Sequence, residues 1–282
     1  MRAMRAVAAT FLGIFLAVLN TPGCSRPVDR PRVPVAPAPD LRVLVYNIHA
    51  GKDAKGQANL DEVARLVLEH AVDVALLQEV DRGTKRSGGV DQVEVLAANT
   101  GHAAVMGRSL DYDGGEYGIA ALARGGFANH ETHPLPVTPP QERAGGTHEP
   151  RVALHVVVRT PLGEVQALNT HLDASRDDHY RLQESARLLE IARPLRDRRR
   201  PLVIGGDFNS EPGSAVVGRM LAGGFRDAWA ECGNGPGPTF PAHAPVKRID
   251  YLFLDGSLRC TSATVLETTA SDHRPLLVTL SR

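Results

Sequence analysis

Short apolar runs alternate with amphipathic stretches through most of the chain. Leu41-Arg42-Val43-Leu44-Val45-Tyr46 predicts a buried strand that ends at Asn47, and Val72–Leu77 a second that ends at Gln78-Glu79. Between them, Leu60–His70 places Val63, Leu66 and Val67 on one helical face, with Asn59 as its cap. Val90–Asn99 predicts another helix, closed by Gly101, and Tyr117–Ala123 another strand. Phe127–Glu149 reads as loop, because Pro and Gly interrupt it throughout.

Farther on, Arg151–Arg159 and Val165–Asn169 flank Thr160-Pro161-Leu162-Gly163, a hairpin signature. Asp177-Asp178 opens a helix that runs to about Leu195. Strands are then expected at Pro201–Ile204, Ile249–Leu254, Cys260–Leu266 and Leu276–Leu280. An early β-α-β alternation followed by hairpins predicts an α/β fold of mixed sheets covered by helices. Residues 41–282 read as one domain, without an internal linker or short repeat.

The residues before this domain have a different character. Arg2 and Arg5 precede an apolar stretch from Val7 to Leu19, too short for a permanent span. Thr21-Pro22-Gly23-Cys24 follows, and small residues before a Cys resemble a bacterial lipoprotein signal, although Thr21 stands where Leu is usual. Residues 1–24 are therefore expected to be a signal peptide. Cys24 is either lipidated, which gives a membrane tether, or lost in simple secretion. Residues 25–40 carry Pro27, Pro31, Pro34, Pro37 and Pro39 and predict an extended tether. The expected location is outside the cytoplasm: a membrane-anchored lipoprotein, or a periplasmic or secreted protein. Export permits a disulfide between Cys232 and Cys260, but the sequence does not place them together.

Composition removes some partners. The chain has 282 residues, with 32 basic and 32 acidic side chains, so its net charge does not steer it toward duplex nucleic acid. Aromatic residues make up 5%, which argues against a stacking platform for single strands.

Several polar residues share one address, the end of an apolar strand, where α/β folds place their ligands. Asn47 ends the first strand, Glu79 the second and His171 the Ala167–Thr170 strand. In Gly205-Gly206-Asp207-Phe208-Asn209-Ser210, Asp207 and Asn209 can face one pocket while Phe208 turns into the core. The paired glycines permit close approach by a ligand or a neighbouring chain. Asp250 lies within an apolar strand and needs a partner, for which a histidine is well suited. Asp272-His273 precedes the last strand. Each residue has a plainer reading: Asn47 a turn residue, Glu79 a solvated acid, Asp207-Asn209 an Asx-turn, His171 a core histidine, and Asp272-His273 a cap beside a surface histidine. The basic run of Arg196, Arg198, Arg199 and Arg200 reads as a complement to a helix C-terminus before it reads as a phosphate patch. Ser87-Gly88-Gly89 and Gly114-Gly115 are turns or mobile loops over a site.

In order, the signals are Tyr46-Asn47-Ile48, Leu77-Gln78-Glu79-Val80, Glu116–Ala120, Asn169-Thr170-His171-Leu172, Gly206-Asp207-Phe208-Asn209, Arg248-Ile249-Asp250-Tyr251 and Ser271-Asp272-His273-Arg274-Pro275. This series resembles the endonuclease/exonuclease/phosphatase superfamily, the DNase I-like enzymes, and lies nearer its sphingomyelinase-like and uncharacterised bacterial members. The resemblance implies a four-layer α/β/β/α sandwich of two mixed sheets flanked by helices, with the site at one edge of both sheets. It implies a divalent cation, Mg²⁺ or else Mn²⁺ or another dication, held by Glu79 with Asn47 and Asp272. It also implies His273 as base or proton shuttle oriented by Asp250, Asp207 on the attacking water, and Asn209 on phosphoryl oxygens. His171 would donate to the phosphate or leaving group, with Tyr117 and Arg151 as further phosphate contacts.

The function that follows is an exported, Mg²⁺-dependent phosphodiesterase, acting as a monomer on a phosphate-ester substrate. A lipid head group or small organophosphate is favoured. The alternatives are an extracytoplasmic nuclease, with nucleic acid as partner, and a tethered phosphate-ester-binding protein without catalysis.

Overall fold

Strands buried on both faces account for the near-continuous apolar runs of the sequence. The computed structural model describes residues 40–140, 149–196 and 199–282. The expected signal segment with Cys24, and the Pro-rich tether apart from Asp40, lie outside the described residues. The chain forms β1 (Leu41–Asn47), α1 (Leu60–Glu69), β2 (Val74–Arg82), α2 (Gln92–Thr100), β3 (Ala103–Tyr112), β4 (Gly115–Ala123) and β5 (Phe127–Leu135). Next come β6 (Arg151–Thr160), β7 (Gly163–His171), α3 (His179–Leu195), β8 (Leu202–Asp207), α4 (Ala215–Ala222), β9 (Arg226–Asp227) and α5 (Ala228–Cys232). It closes with β10 (Asp250–Leu254), β11 (Arg259–Val265) and β12 (Leu276–Ser281).

Two six-stranded mixed sheets result, in the orders β11-β12-β1-β2-β4-β3 and β5-β6-β7-β8-β10-β9. The pairs β1/β2 and β7/β8 are parallel and the remaining pairs antiparallel. Alternation along the strands sorts the apolar residues into three layers. Val43, Val45 and Leu76 meet Leu154, Val156 and Val203 between the sheets. Tyr46 and Leu77 pack beneath Val63 and Val67 of α1 and Leu96 of α2. Leu168, Ile204 and Phe253 pack beneath Leu188 of α3 and Met220 of α4. This is the expected α/β/β/α sandwich.

The departures from expectation fall mostly on edge strands. Phe127–Leu135 is a strand, not loop. It is polar because it is an edge, and an edge also tolerates Pro134. Ala103–Tyr112, the edge of the other sheet that packs beside β5, had no predicted element for the same reason: most of its residues are partly exposed. The short α4, β9 and α5 were also unpredicted. Asn59 precedes α1 but makes no side-chain cap, and Asp61 and Glu62 supply negative charge to the first turn. Cys232 and Cys260 form a disulfide that ties α5 to β11, with Cα atoms 5.8 Å apart.

The paired glycines serve the sheets, not a ligand. A Cβ on Gly206 would lie 1.9 Å from the Thr170 carbonyl oxygen of the paired strand, and one on Gly205 would press into Leu76 of the other sheet.

The second strand does not stop at Gln78-Glu79. It runs on to Arg82 across a bulge between Leu77 and Val80, and Glu79 there takes φ 56°. The bulge leaves carbonyls without ladder partners, and the facing sheet satisfies them. The Asn169 amide of β7 donates to Leu77 O and to Ala120 O, both at 2.9 Å, and its oxygen accepts from Gln78 Nε2 at 2.7 Å. All of this is buried. Asn169→Leu fills the same space but strands those groups. It is expected to lower unfolding stability by about 3 kcal/mol, measured by urea denaturation. A loss below about 1 kcal/mol would show that the bulge does not depend on this amide.

Candidate active site

The parallel strands bring their carboxyl ends to one edge of the sandwich, and there the sheets exchange hydrogen bonds between side chains. Asn47, last residue of β1, donates its amide to Asp207 Oδ2 and to Glu79 Oε1, each at 3.1 Å. Its own oxygen accepts from the His49 N–H at 3.0 Å, which fixes which end of the amide faces the acids. Asn47 thus orients Glu79 and Asp207, and its oxygen does not face the carboxylates.

Asp207 ends β8 and is almost wholly buried. It stands opposite His171 of β7 in one direction and Asp250 of β10 in the other. Its Oδ1 accepts from the Asn209 backbone N–H at 2.9 Å. Its Oδ2 lies 3.5 Å from His171 Nε2 and 3.6 Å from His273 Nε2. His273 Nδ1 in turn meets Asp250 Oδ2 at 2.9 Å. The His273 loop is pinned by Ser271, whose hydroxyl donates to the Asn47 carbonyl at 2.7 Å and accepts the His273 N–H. Burial disfavours a charged His273 ring, but Asp250 and Asp207 on its two nitrogens outweigh that and raise its pKa. Burial likewise raises Asp207, against the opposing effect of His273.

Asn209 reaches the same place by a different route from strand alternation. The chain leaves β8 at Asp207, Phe208 turns into the core against Tyr251 and Phe253, and Asn209 adopts φ 47°. Its amide donates to the Leu172 carbonyl at 3.0 Å and sits 3.2 Å from His171 Nε2.

These groups open onto a cavity of about 330 Å³. Glu79, Tyr117, Arg151, His171, Asp207, Asn209, Asp272 and His273 all line it. Asn47 and Asp250 stand behind Asp207 and His273, so every expected site residue converges on this edge. Arg151 is buried and ion-paired with Glu149 at 2.9 Å. Arg86, which sequence reasoning missed, also lines the cavity. It holds buried Asp81 through two nitrogens at 2.7 and 2.8 Å and stacks over Tyr112 and Tyr117. Its only signal was its place directly before the Ser87-Gly88-Gly89 turn. Phe240, also missed, packs on the His273 ring at 4.9 Å between centroids.

The cavity fits a hard dication. Glu79, Asp207, Asp272 and Glu149 bring four carboxylates, while both arginines are committed to acids. Glu79 and Asp272 present carboxylate oxygen, the donor that Mg²⁺ prefers. A phosphate ester entering this excess of negative charge needs a cation to accompany it. Asp207, Asp250 and His273 also bring donor atoms within 4.8 Å of one another, a grouping that could hold a metal ion. There, however, Asp250 and His273 use their facing atoms on each other, and the two ring nitrogens face opposite ways.

Beside the cavity, Glu184 of α3 accepts the Asp173 backbone N–H at 2.8 Å and so holds the loop that follows His171. Burial pushes its pKa up to about 7, against the opposing Asp173 N–H and Arg151. A raised carboxyl stabilises the fold fully below its unfolded value, and that contribution disappears as pH climbs to the folded value. The wild type should therefore lose, between about pH 4.5 and pH 7, on the order of 3 kcal/mol that Glu184→Gln does not lose. Denaturation midpoints of both proteins across that range check this. Parallel curves would contradict it.

With this geometry in hand, the comparisons with known proteins point one way. The model of the "Endonuclease/Exonuclease/phosphatase family" matches residues 44–273. The uncharacterized protein YbhP of Escherichia coli K12 is 26% identical over 249 residues, covering 84% of this chain and 94% of that protein. An endonuclease/exonuclease/phosphatase from Beutenbergia cavernae superposes with a TM-score of 0.70 at 24% identity, over 86% of this chain and 71% of the other. A mannosyl-6-phosphatase of Bacteroides thetaiotaomicron gives 0.71 at 21% identity, over 86% and 100%.

Proposed function

The chain belongs to the endonuclease/exonuclease/phosphatase family, whose members are hydrolases of phosphoesters, and on that premise we propose that it is an exported, Mg²⁺-dependent phosphodiesterase. The observation that carries this reading is the ring of groups around Asp207: Asn47 and Asn209 donating to it, His171 and His273 within 3.6 Å, and Asp250 behind His273.

In this reading Glu79 and Asp272 hold the cation, with Asn47 keeping Glu79 in place. When bound, that ion offsets charge on the phosphoryl oxygens and on the leaving oxygen. The chain's own groups do the rest. Asp207 takes the proton of the attacking water, the charged His273 ring steadies Asp207 at its Oδ2, and Asp250 fixes that ring by its Nδ1. Asn209 and His171 donate to the phosphoryl oxygens as negative charge grows on them. A new bond forms from water oxygen to phosphorus, the ester P–O bond breaks, and a proton from His171 goes to the departing alkoxide. Tyr117 and Arg151 close the wall beside the phosphate.

A small ester fits better than a duplex. The cavity is about 330 Å³, and Arg86 and Arg151 are already neutralised by Asp81 and Glu149. Among the described residues, little free positive charge therefore flanks it to follow a nucleic-acid backbone. The substrate is a lipid head-group diester or a small organophosphate. The disulfide between Cys232 and Cys260 supports export, since such bonds persist in oxidising compartments. The N-terminal segment then serves as signal, with Cys24 as the anchor of a membrane tether.

Purified protein should be assayed on sphingomyelin, phosphoinositides, a generic diester, a sugar 6-phosphate, DNA and RNA, with Mg²⁺ and with chelator. A sugar phosphate belongs there because one relative in fold bears the name mannosyl-6-phosphatase. Turnover of a small diester that chelator abolishes is expected, with Asp207→Asn and His273→Ala each slowed about 10³-fold while still folded. Wild-type turnover by both variants would reject these roles. Preference for DNA or RNA would turn the substrate to nucleic acid, and tight ester binding without turnover would make the protein a binder.

A further inference from the structure

Glu131, His133 and His155, which the hydrolytic chemistry does not use, share one face of the second sheet. Glu131 and His133 are two residues apart on the edge strand β5, so their side chains project the same way. His155 stands directly opposite Glu131 on β6. Two side chains on one strand and a third across from them place three donors side by side. The His133 and His155 rings have centroids 6.4 Å apart, and Glu131 Oε2 is 3.7 Å from His133 Nε2.

His155 gives this group its chemical meaning. It is 6% exposed, and its Nε2 is buried with no hydrogen-bond partner. The Gln166 side chain lies beside its ring. The Gln166 amide nitrogen already donates to Leu195 O at 2.6 Å and Arg200 O at 3.2 Å, so its oxygen is the end left to accept a ring proton. A proton on Nδ1 would meet that oxygen and leave the lone pair on the unpartnered Nε2. A buried acceptor without a partner is costly, and an imidazole whose far nitrogen is anchored to an oxygen is the state in which histidine binds metals.

We propose that Glu131, His133 and His155 form a site for a transition-metal dication of the zinc class, distinct from the hydrolytic centre. Two imidazoles and a carboxylate, with water in the fourth position, are a donor set zinc takes. Two nitrogens select against Mg²⁺, which favours oxygen. The three donor atoms are not yet gathered within 4.8 Å of one another, as those of Asp207, Asp250 and His273 are. The side chains that must swing are the partly exposed His133 and the exposed Glu131, at 22% and 63%, whereas His155 is held by burial.

Zn²⁺ and Co²⁺ are titrated into the chelator-treated full chain in saturating Mg²⁺, using the wild type, Glu131→Ala, His133→Ala and, for the hydrolytic centre, Glu79→Gln. Glu131→Ala and His133→Ala change accessible positions, and circular dichroism checks that each variant is folded. Zn²⁺ should bind at least about tenfold more weakly to both. The visible spectrum of tetrahedral Co²⁺ should vanish in His133→Ala and persist in Glu79→Gln. Unchanged Zn²⁺ affinity in His133→Ala would overturn the proposal. So would a Co²⁺ spectrum that depends on Glu79 and not on His133.

Discussion

The architecture turns on the bulge in β2 and the amide that makes it tolerable. At Leu77–Val80 the strand breaks its ladder, and Asn169 of the facing sheet takes up the released carbonyls together with Gln78. The extra residue turns Glu79 toward the cavity while Gln78 points between the sheets. Without the bulge, strand alternation would continue and Glu79 would lose its place beside Asn47. A buried polar contact between the sheets thus fixes both their registration and the position of an acid.

From there the site is assembled by topology. Parallel pairing of β1 with β2 and of β7 with β8 aligns the carboxyl ends of four strands, and antiparallel β10 brings Asp250 in from its amino end. Asn47 bridges the two sheets by holding Glu79 and Asp207 together. The ring around Asp207 therefore rests on the strand residues Asn47, His171, Asp207 and Asp250, with Asn209 and His273 on adjoining loops that hydrogen bonds pin to them, and its parts are held before any ligand arrives.

Much of this was legible in the chain. The buried central strands announced themselves as apolar runs, and the polar residue closing each run marked the site. The argument for Asp250 was physical: a carboxylate among Ile249, Tyr251 and Leu252 had to find a partner, and it found His273. The edges were illegible, since β3 and β5 lack the full burial that writes a pattern into sequence. Arg86 and Phe240 were illegible too, because a cation in a turn and an aromatic in a loop acquire meaning only from the Asp81 carboxylate and the His273 ring that fold places beside them. The bulge was half visible: Glu79 was recognised, but as the end of a strand that in fact continues.

The central claim is spatial and chemical together: the acids at this edge accommodate a dication, and the histidines and Asn209 accommodate the phosphate that accompanies it. A crystal structure grown with Mn²⁺ and inorganic phosphate, with anomalous scattering to locate the metal, tests both parts at once. The account predicts Mn²⁺ on the carboxylates of Glu79 and Asp272, and phosphate within hydrogen-bonding distance of His171 and Asn209. Manganese bound elsewhere with this cavity empty, or phosphate held away from both residues, would contradict it.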